Sequence, residues 1–199
     1  MAIALSLTGS ARTETKGFRM EETVRRPVVA GQFYEADPER LRSEIEGYLD
    51  RASPEIPEGD IVALISPHAG YTYSGPVAAW GYSLLEKGSF ETVVVISPSH
   101  TEFFPYSSVF GGSAYETPLG KVETDRELAE EIAEGGERIR IDSRGHIPVP
   151  GGRGEHALEV QIPFLQVALG EFRLVPIVMG DQSREVVEQL GAAIGKALE

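Results

Sequence analysis

The chain has 199 residues, of which 41% are hydrophobic and 25% are charged, values typical of a globular domain with a substantial core. Its formal net charge of −13 at pH 7 would repel phosphate backbones and anionic lipid, which argues against nucleic-acid and membrane partners. Because the sequence contains no cysteine, disulfides, thiolate metal ligands and a cysteine nucleophile are excluded within it, and a cytoplasmic location is expected.

The N-terminal part of the chain divides into a predicted tail and the start of a domain. Residues 1–24 are largely polar and show no periodic pattern, so we predict a disordered tail followed by a single domain over residues 25–199. The first apolar run of this tail is too short for a secretion signal or a membrane span. Asp37 and Pro38 then predict the N-cap and the first residue of a helix.

The middle of the chain alternates between strand and helix signals. Residues 61–66 and 92–97 are short apolar runs that each end at a Ser-Pro break, which is typical of buried strands. Pro76 predicts the start of a helix between them. Residues 103–122 contain two β-like runs, and Thr124 with the Glu three residues later forms a capping box that predicts the next helix.

The C-terminal part continues the alternation. Residues 139–141 and 172–178 predict strands, and residues 184–198 predict the final helix. A helix from about Glu155 is expected to be kinked by Pro163. Alternating strands and helices predict a three-layer α/β domain whose central sheet, mainly parallel or mixed, is flanked by helices.

Two histidines occupy matching places after the two predicted buried strands. His68 and His100 each follow an apolar run and a proline that should end the strand. Both imidazoles are therefore expected at the carboxyl ends of strands, where open α/β sheets bind ligands. A single histidine in such a place most often bonds the backbone, but the repeated placement favours a shared metal or substrate site.

Further candidates lie in less specific surroundings. His156 and Glu159 are three residues apart on a predicted helix and share a face, so His156 is a candidate acid or base and Glu159 a candidate pocket residue. The simpler alternative is a glutamate that complements the helix dipole. Tyr71 and Tyr73 either line a pocket beside His68 or pack against the next helix. His146 lies in a Gly/Pro-rich loop, and we predict that it faces solvent.

The metal suggested by these residues is a transition metal. Two histidines with a carboxylate are typical of non-haem Fe(II), although Zn or Cu could take the same ligands. The sequence supplies no unmistakable third ligand. It also lacks the Walker motif, the dinucleotide-binding glycine fingerprint, the Gly-x-Ser-x-Gly elbow and the His-Glu-x-x-His helix. No motif therefore supports the hypothesis of a kinase, a dinucleotide-dependent oxidoreductase or a serine hydrolase.

Five collinear motifs point to a known family. They are PVVAGQFY at 27–34, PHAGYTYSG at 67–75, SPSH at 97–100, YETPLG at 115–120 and EHALEVQIPF at 155–164. In this order and spacing they resemble the Memo-like family, whose prokaryotic members are known as AmmeMemoRadiSam system protein B. The resemblance extends from about residue 25 to the end of the chain.

The resemblance implies a fold like that of the class III extradiol (LigB-type) dioxygenases. It also implies a metal pocket in which His68 and His100 are ligands and His156 is a further pocket histidine, with iron or copper as the metal. An association with radical-SAM proteins of the same gene set is implied as well. Family members continue through additional strands and a later third metal-site residue, so we expect this chain to be C-terminally incomplete and its pocket to be open on one side.

Two functional hypotheses from different classes follow. The first is a metal-dependent, dioxygenase-like oxidoreductase in which His68 and His100 bind Fe(II) or Cu and His156 moves a proton. The alternative is a non-catalytic module that retains the cleft to bind a peptide or small molecule, with Trp80 near Tyr71 and Tyr73. A zinc hydrolase is a third, weaker hypothesis. Oxygen consumption, or ligand binding that survives chelation, would separate the first two.

Overall fold

The computed structural model describes residues 2–5, 23–56, 58–148 and 151–198. Within these residues the strands are β1 Ala2–Leu5, β2 Val24–Arg25, β3 Thr92–Pro98, β4 Ser107–Val109, β5 Ala114–Thr117, β6 Gly120–Glu123, β7 Ile139–Ile141 and β8 Arg173–Met179. The α-helices are α1 Pro38–Arg51, α2 Tyr71–Tyr82, α3 Arg126–Glu134, α4 Ile162–Leu169 and α5 Arg184–Ala197, and α4 is preceded by a 3₁₀ turn, Glu159–Gln161. Among these helices none has the length and hydropathy needed to span a bilayer.

The strands form one mixed sheet and one small sheet. In the five-stranded sheet the order is β1-β3-β8-β4-β7, with β3 parallel to β8 and β4 antiparallel to β8. In the small sheet β5 pairs with β2 on one side and with β6 on the other. The parallel pair at the centre is buried along nearly its whole length, which explains the continuous apolar runs of β3 and β8.

Helices cover both faces of the larger sheet. Successive residues of β3 alternate between two cores, since side chains of a strand point to opposite faces. Val93 and Val95 pack in the core formed with α1, α2 and α4, whereas Val94 and Ile96 pack in the core formed with α3 and α5. This arrangement confirms the predicted three-layer α/β architecture with a mixed sheet, and it agrees with the dioxygenase-like fold that the resemblance implies.

Aspartate side chains cap the N-termini of two helices, α1 and α3. The Asp37 side chain accepts a hydrogen bond from Arg40 N at 2.9 Å, which confirms the predicted N-cap of α1. The cap of α3 is Asp125, one residue beyond the Thr124 of the predicted capping box. Thr124 instead donates its hydroxyl to the carbonyl of Gly112 at 2.6 Å, so it ties the start of the helix to the segment before β5 and is not free to cap.

Three predicted elements differ from the structure. Residues 61–66 form no strand: only Leu64 takes part in an isolated bridge, and the segment belongs to neither of the two described sheets. Helix α2 begins at Tyr71, five residues before the Pro76 that was expected to start it. Pro163 does not kink a helix, since it occupies the first turn of α4, where a missing N–H costs nothing.

The predicted N-terminal tail is only partly described. The backbone of Ala2–Leu5 forms β1 and pairs antiparallel with β3, so these four residues are not a disordered tail. β3 has an open edge that offers backbone hydrogen bonds to any extended segment, which is the physical reason for the difference. Residues 6–22, the rest of the predicted tail before Thr23, lie outside the described residues.

Helices α1 and α2 approach closely at a glycine, and this contact can be tested. A Cβ added at Gly75 would lie 2.6 Å from the ring carbon Cε2 of Tyr48, so Gly75→Ala should destabilise the fold by about 1–3 kcal/mol through overpacking. The matched control is Gly191→Ala in α5, where nothing lies within 4 Å of an added Cβ. There the substitution should stabilise the fold by about 0.5–1 kcal/mol, because alanine reduces the conformational entropy of the unfolded chain. Urea unfolding of both variants measures the difference, and equal stabilities would contradict the packing argument.

Candidate metal centre

Three imidazole rings converge at one end of the larger sheet. The ring centroids of His68 and His100 are 5.1 Å apart, those of His100 and His156 are 4.9 Å apart, and those of His68 and His156 are 6.2 Å apart. His100 follows directly after β3, His68 precedes α2, and His156 stands in the loop before the 3₁₀ turn. The structure thus brings together all three histidines that the sequence singled out, with His100 in the middle.

A buried carboxylate holds two of these histidines in place. Glu155 Oε1 accepts hydrogen bonds from the backbone N–H groups of His156 at 2.8 Å and Ala157 at 2.9 Å, and it lies 3.0 Å from His100 Nδ1. Its other oxygen accepts from the backbone N–H of His100 at 2.5 Å. With Nδ1 of His100 donating to this carboxylate, Nε2 of the same ring is left free to bind a metal or a substrate.

The ionisation states suit such a site. Burial alone would raise the pKa of the Glu155 carboxyl, but the hydrogen bonds from Ala157 N, from His100 and from His156 N hold that pKa below its usual value. Burial lowers the pKa of His68, and the neighbouring His100 and His156 rings lower it further. Burial likewise lowers the pKa of His156, partly opposed by Glu155. At neutral pH, Glu155 is therefore a carboxylate, and His68 and His156 are neutral imidazoles with a lone pair to offer.

The histidines open into a cleft, which we call the histidine cleft. Its volume is about 820 Å³, within the range of small-molecule sites. It is lined by His68 and His156 together with the apolar side chains of Phe33, Ile65 and Tyr73. The His156 ring packs on Phe33 with centroids 4.7 Å apart. A few polar groups at the base of a largely apolar wall form an arrangement able to orient a small organic ligand.

Geometry alone offers a second choice of metal ligands. Among the described residues, the one group of three ligand atoms that lie within 4.8 Å of one another comes from His100, Glu155 and His156. His68 is outside this group. However, Glu155 Oε1 already accepts from two backbone N–H groups and from His100 Nδ1, so it would bind an ion only by giving up hydrogen bonds that shape the loop.

Glu159 does not line the pocket, contrary to the prediction. It is fully buried and forms an ion pair with Arg25, which is also buried. One of its carboxylate oxygens accepts hydrogen bonds from the backbone N–H of Val29 at 3.1 Å and from the Tyr34 hydroxyl at 2.5 Å. A buried carboxylate needs a cationic partner and full hydrogen bonding, and the cation comes from β2, more than a hundred residues away in sequence.

The two tyrosines of the motif near His68 have separate roles. Tyr71 is buried and donates its hydroxyl to the carbonyl of Val160 at 2.7 Å, so it is a packing residue and does not line the cleft. Tyr73 is 85% exposed and does line the cleft, as expected of a pocket residue. Trp80 is half-exposed on the same helix but is not among the residues that line the cleft.

His146 is buried, which corrects the prediction that it faces solvent. Its Nε2 donates to the carbonyl of Ser108 at 3.0 Å, and its Nδ1 lies 2.5 Å from the Tyr115 hydroxyl. Both ring nitrogens are therefore engaged within the protein, and His146 has no lone pair to offer a metal. The surrounding Gly/Pro-rich sequence indicated a loop correctly but carried no sign of these distant partners.

Glu155 and Arg25 are the functional residues that sequence reasoning missed. Glu155 stands next to His156 in a motif that was noted, and its position one residue before a candidate ligand is a usable signal for a carboxylate that orients imidazoles. Arg25 gives no local signal, since its role depends on a partner from a distant loop.

Comparison with known proteins gives the family of this chain. The family model described as "Memo-like protein" matches residues 25–199. The chain belongs to the Memo-like family. Among its relatives, a MEMO1 family protein from Sulfolobus acidocaldarius is 42% identical over 185 residues, covering 87% of this chain and 63% of the relative. A MEMO1 family protein from Ignicoccus hospitalis is 45% identical over 186 residues, covering 88% of this chain and 63% of the relative. A MEMO1 family protein from Methanothermobacter thermautotrophicus is 40% identical over 185 residues, covering 88% of this chain and 64% of the relative.

The length of the relatives differs from that of this chain. The chain spans only 63–64% of each of these three Memo-like relatives, so more than a third of their length has no counterpart in it. All five motifs that carry the resemblance, and all three of the converging histidines, lie within the matched residues 25–199.

The buried imidazole of His146 predicts a pH-dependent stability. Burial lowers the pKa of His146 to about 4 from the ordinary 6.5, so between these pH values the unfolded chain binds a proton that the folded chain does not. Stability should therefore fall as the pH drops from about 6.5 to about 4, with up to roughly 3 kcal/mol coming from this group.

Urea unfolding of His146→Phe and of the native chain at several pH values between 7 and 4.5 checks this. The variant should be less pH-dependent, whereas Tyr115→Phe, which keeps the imidazole, should retain the native slope. If His146→Phe also retained the native slope, a different group would have to cause the acid sensitivity.

Proposed function

We propose that the protein binds a transition metal ion between His68 and His100, with His156 beside it as a proton carrier. The observation that carries this proposal is the convergence of the three rings around His100, whose Nδ1 faces the Glu155 carboxylate. A carboxylate behind a ligand imidazole fixes the ring tautomer and makes the other nitrogen more basic, which is the usual support of a metal-binding histidine.

The ring geometry fits an ion held by this pair. With metal–nitrogen bonds of about 2.1 Å, two imidazoles on one ion have ring centres roughly 5 Å apart. The centroids of His68 and His100 are 5.1 Å apart and their planes are inclined by 53°. His100 and His156 are at a similar separation, but their rings are closer to parallel, at 28°, which suits stacking better than shared coordination. This difference favours His68 over His156 as the second ligand.

The donor set favours Fe(II), with Cu or Zn as alternatives. Neutral imidazoles suit all three metals, and the chain contains no thiolate that would shift the choice. Bound Fe or Cu would supply Lewis-acid and one-electron chemistry, whereas Zn would act only as a Lewis acid. His156, with a lowered pKa and a place on the cleft wall, would then hold or accept a proton from a ligand in the cleft.

The reaction class that follows is a dioxygenase-like oxidation of a small molecule. Support comes from the three-layer fold, the histidine cleft and the apolar wall of Phe33, Ile65 and Tyr73, which would accept an aromatic or similarly flat substrate. Association with radical-SAM proteins belongs to the same proposal, because it derives from the family resemblance.

A non-catalytic binding module is the second candidate function. Two points favour it. The cleft, at about 820 Å³, has room for a small organic ligand, and the proposed metal site has only two protein ligands for the ion. Such a module would bind a small molecule or a peptide side chain on its apolar wall without turnover. Binding that persists after chelation, without oxygen consumption in the presence of Fe(II), would support this candidate over the enzyme.

Substitution of the histidines tests the metal ligands. After anaerobic loading with Fe(II), and in parallel with Zn(II), the native chain should retain about one ion, and the His68→Ala/His100→Ala variant should retain almost none. His156→Ala should keep the ion, because that ring is proposed to carry protons. His146→Phe is the folded control, since both nitrogens of His146 are already bonded.

Elemental analysis of desalted protein and calorimetric titration provide the readouts. Unchanged metal content in the double variant would exclude the proposed pair. Loss of the ion in His156→Ala but not in His68→Ala would instead assign it to the group formed by His100, Glu155 and His156.

Glu155→Gln tests the carboxylate behind His100. The amide keeps the shape but loses the charge that orients Nδ1–H of His100, so metal affinity should fall about 10–100-fold while the stoichiometry stays the same. Glu102→Gln is the charge-matched control, because the Glu102 carboxylate accepts a hydrogen bond from Gly145 N and pairs with Arg144 instead of a histidine. An affinity equal to that of the control would mean that Glu155 only shapes the loop.

A further inference from the structure

A second cleft lies at the opposite edge of the larger sheet from the three histidines. Its volume is about 600 Å³, and its lining includes Phe172 and Arg173 at the start of β8, whereas His100 follows the end of the parallel strand β3. The seven residues of β8 separate the two edges by roughly 20 Å. Among the described residues none lines both clefts, so this one is a separate surface.

Basic side chains gather in this second cleft, although the chain as a whole is acidic. Four of its lining residues are cationic and two are carboxylates, in a chain whose formal net charge is −13. The four cations come from α1, the turn after α2, β6 and β8, and they are Arg42, Lys87, Lys121 and Arg173. We call this surface the cationic cleft. Because the four are far apart in sequence, it is the fold that brings their charges together.

Most of these cations have no counter-ion within the protein. Among the residues that the structure describes, Arg42, Lys87 and Lys121 take part in no ion pair. Arg173 pairs with Asp125 at 3.1 Å, yet its side chain is 54% exposed and a guanidinium has further N–H groups to donate. Like charges that share a cleft repel one another, and an anion bound among them would remove that repulsion.

The two carboxylates of the cationic cleft, Glu123 and Glu171, do not cancel its charge. They leave a surplus of two positive charges on a surface that is concave. A cleft lined mainly by one sign of charge focuses the electric field and raises the local concentration of the opposite ion. In an acidic protein, such a cleft is where a small anion is attracted although the rest of the surface repels it.

Hydrogen bonds hold the walls of the cationic cleft in place. Gln166 of α4 accepts a hydrogen bond from the Thr117 hydroxyl at 2.6 Å and donates to the carbonyl of Gly120 at 3.2 Å, which ties the β5–β6 turn to α4. The residue after Lys87 is tied to the same helix, because Gly88 N donates to the carbonyl of its last residue at 3.1 Å. Binding would therefore require little ordering of the main chain.

The size and chemistry of the cationic cleft fit a small phosphorylated molecule. A volume of about 600 Å³ lies within the range of small-molecule sites. Arginine binds phosphate through two parallel hydrogen bonds, and lysine binds it as a point charge. Several cations from separate elements suit a ligand with two linked phosphates, and Leu119 and Phe172 add apolar surface for an organic group.

We propose that the cationic cleft binds a small molecule that carries a diphosphate group, such as a nucleoside diphosphate. In this complex Arg42 and Lys121 neutralise the phosphates, and Arg173, oriented by Asp125, donates further hydrogen bonds. The proposal involves none of the three histidines and is independent of any metal.

Calorimetric titration of the full chain with inorganic pyrophosphate and with ADP tests the proposal. In about 50 mM salt with EDTA, each should bind once per chain, and adenosine, which has no phosphate, should not compete. Raising the salt to about 200 mM should weaken the binding several-fold, because exposed charges are screened. Citrate distinguishes phosphate from polycarboxylate. If citrate competed as strongly as pyrophosphate, the assignment to phosphate would be overturned.

Matched substitutions locate the binding site. Arg42→Gln and Lys121→Gln should each weaken pyrophosphate binding about tenfold, since each removes a charge-assisted contact. Arg184→Gln is the control, because this exposed arginine begins α5 at the other edge of the sheet, and its loss should leave the affinity unchanged. Thermal unfolding of the three variants verifies that each is folded.

Three results would contradict the proposal. The first is the absence of saturable binding of either pyrophosphate or ADP at low salt. The second is an equal affinity of Arg42→Gln, Lys121→Gln and Arg184→Gln, which would mean that the anion does not sit in the cationic cleft. The third is loss of pyrophosphate binding in His68→Ala/His100→Ala, which would move the anion to the histidines.

Discussion

The ion pair between Arg25 and Glu159 is the constraint on which the site depends. Both side chains are buried, and the guanidinium also donates to the backbone carbonyls of Glu155 at 2.6 Å and His146 at 3.3 Å. A buried charge without its partner costs several kcal/mol, so neither residue can be lost without disturbing the loop that the pair spans. The carboxylate side of the pair further binds the backbone at Val28. One ionic contact thereby fixes the chain on both sides of the loop that leads into α4.

The position of that loop determines the geometry of the histidines. Because Arg25 holds the carbonyl of Glu155, the carboxylate of the same residue is directed towards His100 and the backbone of His156. The ordered sequence of contacts runs from a buried cation, through the loop backbone, to a carboxylate and then to an imidazole. Such connected polar groups have a larger effect together than each would alone, because removing one leaves the others unsatisfied in a medium of low dielectric constant. The orientation of the His100 and His156 segments is therefore set by charged and polar contacts, whereas the sheet determines only where the chain leaves β3 before His100.

Sequence reasoning succeeded where the signal is local and failed where the partner is distant. Asp37 caps α1 as predicted because its acceptor oxygen and the N–H it meets are three residues apart. His68 and His100 do lie close together, but the strand-end argument holds only for His100, which follows β3, whereas no strand precedes His68. Glu159 and His146 were placed wrongly because nothing near them in sequence reveals Arg25 or Tyr115. The segment at residues 61–66 failed for a related reason, since apolar composition permits a strand but only a neighbouring strand creates one.

Exposed apolar side chains stand beside the imidazoles in the histidine cleft, and this has a physical consequence. Ile65 and Tyr73 line the cleft together with His68 and His156, and both are 85% exposed, so a molecule bound against them would also remove water from the two imidazoles. Electrostatic interactions strengthen as water leaves, because the effective dielectric constant falls. Apolar contact with a ligand and the strength of the polar interactions at His68 and His156 would then be coupled through solvent access.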